Sequence, residues 1–216
     1  MNQYHKINTI FKRDMANCGK IIEGVFAEPD FEYLKNNVWV FTEKVDGTNI
    51  RVMWNGKQVV FGGKSDNAQI PVFLLYKLQE LFEGTAKKKL FTEKFTPKDP
   101  AEEIKVCLYG EGYGAKIQSG GNYIPDGVSF VLFDVKIGDM WLKREDVEDI
   151  AKTFELKTVP IIGTGTLKDM VDKARNGFNS QWGEFIAEGI VARPEVELKN
   201  RRGYRIITKI KHKDFK

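Results

Sequence analysis

The chain has 216 residues, with 34 Lys+Arg against 30 Asp+Glu, and carries a formal net charge of +4. That length suits one domain, or one with a small appendage, and can bury a core without disulfide or metal staples. Apolar residues at 42% and charged residues at 30% are ordinary globular values that exclude disorder and fibrous repeats, and no apolar run approaches a membrane span.

The first predicted element is a strand over 38–44, rich in β-branched and aromatic residues. Strands over 49–54 and 58–62 flank Asn55-Gly56, a dipeptide that favours a tight hairpin. A helix is predicted over 71–83, with Pro71 in its first turn and Leu74, Leu75, Leu78, Leu81 and Phe82 at helical spacing. Strands over 104–109 and 128–136 follow. Residues 144–155 then place Val147, Ile150, Ala151 and Phe154 on one helical face. A third helix over 167–175 opens after Thr166 with Asp169 as the partner of a capping box, and stops before Gly177. Strands over 184–192 and 203–211 close the chain. Strands outnumber helices and do not alternate regularly with them, so the expected class is α+β with mostly antiparallel sheets and flanking helices.

Charge is unevenly spread. From Arg193 to Lys216 there are nine basic and three acidic residues, a net +6, which leaves −2 for the rest of the chain. A basic stripe interleaved with β-branched residues suits a polyanion such as nucleic acid or nucleotide phosphate. Strand alternation would put Lys209 and Lys211 on one face. Cys18 and Cys107 are too few for a cysteine framework and read as thiols of a reducing compartment, so a cytoplasmic location is expected.

Five segments could carry chemistry. Glu43-Lys44-Val45-Asp46-Gly47-Thr48-Asn49 sets a lysine at a strand end before a glycine. A free lysine is protonated at neutral pH, so nucleophilic use needs desolvation or neighbouring cations such as Lys209 and Lys211. Tyr109-Gly110-Glu111-Gly112 sets one carboxylate among glycines that permit close approach of a ligand. Phe130 to Val135 sets Phe133 beside Asp134, expected on opposite faces of a strand. Glu188 enters an otherwise apolar strand, where it needs a cation or a metal-bound water as partner. Finally, Gly62-Gly63-Lys64 could present Lys64 to a phosphate. Each segment alone also reads as an ordinary turn or core strand.

Taken in order, Lys44-Val45-Asp46-Gly47, Gly110-Glu111-Gly112, Phe130 to Val135, Glu188-Gly189-Ile190-Val191 and Lys209-Ile210-Lys211 resemble motifs I, III, IIIa, IV and V of the covalent nucleotidyltransferases. That superfamily holds ATP-dependent DNA and RNA ligases and mRNA capping enzymes. The likeness is greatest to the RNA ligase 2-like branch, through Glu43-Lys44, Gly47-Thr48-Asn49, Lys116-Ile117-Gln118 and Pro160 to Gly165. It covers about Val38 to Phe215.

The resemblance implies an ATP-dependent RNA ligase that joins 5′-phosphate and 3′-OH ends through a lysine–AMP intermediate. It assigns catalysis to Lys44, Lys209 and Lys211, and nucleotide binding to Glu43, Asn49, Lys64, Glu111, Phe133 and Arg193. Within that set Phe133 would stack on adenine and Glu111 would meet the ribose. Asp46 and Glu188 would hold hydrated Mg²⁺ or Mn²⁺. His5 and His212 are expected on the surface, outside the ligand set. The expected partner is RNA, as nicks or duplex-held ends, with no membrane and a monomeric protein. Residues 1–216 would form a single adenylyltransferase domain without a C-terminal OB or helical domain. A small ATP-dependent DNA ligase, or a catalytic domain that needs a partner for sealing, is the alternative. Two departures stand out: some relatives carry His at the place of Asp46, and often Arg at the place of Lys64, where the bidentate fork is lost.

Overall fold

A computed structural model describes residues 3–97 and 104–216. Strands β1 (Asn8–Thr9), β2 (Phe11–Asp14) and β3 (Lys20–Phe26) precede the short helix α1 (Pro29–Tyr33). Strands β4 (Trp39–Lys44), β5 (Thr48–Trp54) and β6 (Val59–Gly62) lead into helices α2 (Val72–Phe82) and α3 (Thr85–Phe95). Next come β7 (Val106–Gly114), β8 (Val128–Ile137), β9 (Met140–Trp141) and α4 (Arg144–Thr153). The chain ends through β10 (Lys157–Thr158), β11 (Ile161–Gly165), α5 (Leu167–Asn176), β12 (Gly189–Pro194) and β13 (Thr208–Lys211). The expected α+β class with mostly antiparallel sheets is what forms. No described helix is long and apolar enough to cross a membrane.

The elements gather into two compact units. One comprises Asp46–Val159 with the N-terminal residues through Tyr4. Its sheet runs β10-β8-β7-β5-β6, with β9 also on β8, and only the β10–β8 pair is parallel. Ile50, Val52, Leu108, Phe130 and Leu132 project from one sheet face into a core closed by Leu74, Leu78 and Phe82 of α2 and Phe154 after α4. Helix α3 has no counterpart among the predicted elements. Its sequence is lysine-rich, and only Phe91 and Phe95, one turn apart, bury themselves as anchors.

The glycines of the Tyr109 to Gly112 segment do not make a turn, so the strand predicted to stop at 109 runs on to Gly114. They are there for close packing. A Cβ on Gly110 would lie 2.2 Å from the Phe130 ring and 2.4 Å from the Val131 carbonyl. Gly47, expected as a turn glycine, serves the same end, because a Cβ there would sit 2.3 Å from the Gly112 oxygen.

The second unit comprises His5–Val45 and Pro160–Lys216. Its sheet runs β1-β13-β12-β4-β11, antiparallel except for β1 on β13. Helix α5 covers one face, setting Leu167, Met170 and Ala174 against Trp39, Phe41, Ile190 and Ile210. The predicted capping box forms: the Asp169 amide donates to Thr166 Oγ at 3.3 Å, and the Thr166 amide to Asp169 Oδ2 at 2.8 Å. The Thr166 hydroxyl, which also donates to Asp169 Oδ2, and then the Thr166 amide hold the Asp169 carboxyl below its ordinary range.

Three further boundaries differ from expectation. Pro71 sits at the N-cap of α2 with extended ψ of 136°, one place before the first turn. The strand predicted over 184–192 starts only at Gly189, because Ser180 N donates to Phe185 O and Phe185 N to Gly183 O, curling the preceding segment. The strand predicted over 203–211 starts at Thr208, because residues 200–204 are closed into a turn by Asn200.

Candidate active site

In the unit of His5–Val45 and Pro160–Lys216, register does the assembling. Gly189 on β12 is the pairing partner of Lys44 on one side and Lys211 on the other. Directly opposed residues share a face, so Lys44 and Lys211 flank a position that has no side chain. A Cβ at Gly189 would lie 2.2 Å from the Ile210 oxygen, so glycine is required by the closeness of β13. Glu188 sits just before it and fills the gap. Its Oε2 accepts from Lys44 Nζ at 2.6 Å and its Oε1 pairs with Lys211 Nζ at 2.5 Å. The three side chains are only 11–26% exposed. One carboxylate therefore holds two cations in partial desolvation, the partner expected for a glutamate at this strand. Lys209 opposes Val191, and Arg193 opposes Val40, so both lie on the Lys44 face.

Glu43 lies on the other face. Strand alternation turns it toward α5, and its carboxylate accepts from Ser180 Oγ at 2.6 Å and from the Gln181 amide at 2.8 Å. It is 1% exposed, and burial raises its pKa above the ordinary 4.5 despite both hydrogen bonds. Expected among the nucleotide-binding residues, Glu43 lies on the face away from Lys44 and braces the loop that leads to Glu188. Its raised pKa means the native state holds this proton more tightly than the unfolded chain. The contribution to stability is thus full below the unfolded value and is lost as pH rises through the folded one. Thermal melts of wild type and Glu43→Gln should show the variant gaining relative stability from mildly acidic toward neutral pH. A pH-independent difference would mean the buried charge is not the cost.

The unit of Asp46–Val159 carries a second polar face, opposite its helix-covered core. Asn49 on β5 is paired with Glu111 on β7, and both project from this face. Asn49 Oδ1 is buried and has no hydrogen-bond partner among the described residues, an unmet acceptor that a ligand hydroxyl or water would satisfy. Phe133 and Asp134, expected on opposite faces, point the same way. The β7–β8 register slips between Tyr109 and Gly110, leaving Phe133 as the extra residue of a bulge. Both then meet Tyr4, whose hydroxyl donates to Asp134 and whose ring stands edge-on to Phe133 at 5.2 Å.

Asp46 is held by the segment after β7. Its amide donates to Tyr123 Oη at 3.2 Å and its Oδ2 accepts from the Ser119 amide at 3.2 Å. That segment reverses through Lys116 and Gln118, both with left-handed φ, which drives Ile117 into the core. Lys64 is exposed on the loop after β6. The loop is tethered by Arg51, whose Nε donates to Gly63 O at 2.9 Å and whose Nη2 reaches Asp66 Oδ1 at 2.7 Å. That guanidinium holds the Asp66 carboxyl below its usual range.

Of the residues nominated from sequence, Glu43, Lys44, Glu188, Arg193, Lys209 and Lys211 belong to one unit, and Asp46, Asn49, Lys64, Glu111 and Phe133 to the other. Four supporting residues were missed: Arg51, Tyr123, Ser180 and Tyr4. Only Arg51 carried a signal, a charge within the apolar run from Ile50 to Trp54. Among the described residues no cluster of three or more His, Cys, Asp or Glu could hold a metal.

One unit thus carries a sheet face with a lysine–glutamate–lysine bridge, and the other a polar sheet face with an unmet acceptor. A family model described as RNA ligase matches residues 37–211, and the chain belongs to that family. Its fold is similar to that of the Naegleria gruberi RNA ligase. The structure of one variant solved with ATP and Mn matches with a TM-score of 0.63 and 16% identity, over 99% of this chain and 60% of that one. A variant solved with AMP and Mn gives 0.64 and 16%, over 100% and 59%. The form with pyrophosphate gives 0.62 and 17%, over 100% and 59%. The chain thus spans less than two thirds of the length of these structures. No curated protein sequence matches it.

Proposed function

We propose that the chain is the adenylyltransferase domain of an ATP-dependent RNA ligase, active with Mg²⁺ or Mn²⁺. One observation carries the reading: Lys44 Nζ is seated 2.6 Å from Glu188 Oε2 while Lys211 occupies the other oxygen. The seat keeps the amine oriented and gives its proton an adjacent acceptor. In the first step Lys44 Nζ gives up one proton to expose its lone pair and forms a bond to the α-phosphorus of ATP, the bond to the pyrophosphate oxygen breaks, and the nitrogen sheds a second proton to leave the phosphoramidate. AMP then passes from Lys44 to an RNA 5′-phosphate, and a 3′-OH displaces AMP to form the phosphodiester. Phosphoryl transfer of this kind relies on positioning and charge neutralisation, which Lys209, Lys211 and Arg193 supply from one face. Asn49 and Glu111 would meet ribose or phosphate, Phe133 would stack on adenine, and Lys64 would reach phosphate. Asp46 and Glu188 would hold the metal, which neutralises phosphate charge when bound. Their oxygen-only donors suit a hydrated Mg²⁺. Glu43 acts through the Ser180 loop as a positioning residue.

The Naegleria structures with ATP, AMP and Mn support the choice of nucleotide and metal. Free thiols at Cys18 and Cys107 accord with a cytoplasmic setting. We read the protein as a monomer acting on nicked or duplex-held ends. Incubation with α-labelled ATP and Mg²⁺ should leave acid-labile label on the protein in a denaturing gel, and a chase with 5′-phosphorylated nicked RNA should move it to RNA. Absence of label would overturn the reading. Transfer confined to DNA nicks would reassign the substrate to DNA.

A further inference from the structure

Lys209, Lys211 and Arg193 account for part of the basic C-terminal stripe, but not for Arg201, Arg202 and Arg205. These line a separate cavity of about 790 Å³ within the unit of His5–Val45 and Pro160–Lys216. The cavity's basic wall is a pre-formed turn. Asn200 Oδ1 accepts from the amides of Arg202 at 2.9 Å and Tyr204 at 3.0 Å. Gly203 takes left-handed φ of +80° and donates to Asn200 O at 2.9 Å. The turn thus displays exposed Arg201, Arg202 and Tyr204 on a backbone that is already ordered, which lowers the cost of binding.

Arg205, 5% exposed, is forked onto Glu197 at 2.5 and 2.8 Å, so it anchors the turn. Arg201, Arg202 and Lys6, which also lines the cavity, have no ion-pair partner among the described residues. Tyr204 is 57% exposed, with its ring open to solvent. Glu28 and Asp30 also line the cavity, Glu28 accepting from Asn8 Nδ2 at 2.6 Å. A cavity lined by cations, carboxylates and an exposed aromatic is unsuited to a uniformly anionic surface. It matches a single strand of RNA: arginines for phosphates, an aromatic for a base, and carboxylates that accept from ribose 2′-hydroxyls.

We infer that this cavity is a docking site for a single-stranded segment of the RNA substrate, distinct from the Lys44 face. Arg201 and Arg202 hold successive phosphates, Tyr204 stacks on a base, and Asp30 accepts from a ribose hydroxyl. The inference rests on the RNA-ligase reading for its ligand, but its test does not. Fluorescence anisotropy with a labelled single-stranded RNA, and with DNA of the same sequence, would measure binding to the full chain without ATP. Arg201→Ala/Arg202→Ala should weaken RNA binding by about tenfold or more. It should also flatten the slope of log affinity against log salt by about 1.4, since each phosphate contact on a single strand contributes about 0.7. Arg201→Lys/Arg202→Lys should retain most of the affinity, and wild type should prefer RNA to DNA. Self-adenylylation should stay within about twofold in both variants, which also shows that they fold. Wild-type RNA affinity and salt slope in the alanine variant, or equal binding of RNA and DNA, would overturn the proposal. If wild type binds RNA as described but takes up no label from ATP, the ligase reading falls and the RNA site stands.

Discussion

Lys44→Arg will take up no label from α-labelled ATP, a loss of at least about 10³-fold, while its melting temperature stays close to wild type. The physical case rests on what arginine keeps and loses. A guanidinium preserves the positive charge opposite Glu188 and can still donate to Oε2, so the bridge to the residue before β12 survives. It is never neutral in water and offers no lone pair to phosphorus, so the covalent step stops. Denaturing-gel label and a thermal melt, run on the same preparation, separate the two effects. Label in the arginine variant near the wild-type amount would place the nucleophile elsewhere.

Glu188→Gln should slow self-adenylylation by about 10²–10³-fold, the range seen when a positioned electrostatic partner is removed from a reacting centre. The wild-type carboxylate neutralises Lys44 and Lys211 together, one on each oxygen. Glutamine retains the shape but offers one acceptor and adds a donor that faces an ammonium. Two cations flanking Gly189 then repel each other without a counter-charge, and Lys44 loses both its orientation and the acceptor for its proton. Because the three side chains keep some contact with solvent, the stability loss should be smaller than for a fully buried pair. The rate of label formation under saturating ATP checks the prediction. A glutamine variant as fast as wild type would reduce Glu188 to a structural prop.

Much of the fold was legible because its signals are local. The Asn55-Gly56 hairpin, the leucine spacing of α2 and the capping box at Thr166 each depend on residues close in sequence, and each forms. Helix α3 escaped because two phenylalanines on a lysine-rich segment become an apolar face only when a sheet is there to receive them. The strands predicted over 184–192 and 203–211 were too long for a related reason. Their β-branched composition is real, but Phe185 O and Asn200 Oδ1 divert the backbone into turns before the ladders begin.

The site divides along the same line. By itself the sequence determined the family resemblance: a lysine, two acids, an aromatic and a lysine pair in family order, with a basic excess near the C-terminal end. It also held the alternation that turns Glu43 away from Lys44, since neighbours on a strand face opposite ways. Only tertiary structure decided that Lys44 and Lys211 straddle Gly189, that a bulge brings Phe133 and Asp134 to one face, and that the basic stripe splits between the Lys44 face and a separate turn. The reason is physical. Residue type and period act within a few positions of the chain, whereas register and bulges are set by which distant strands pair, and those pairings place the charges.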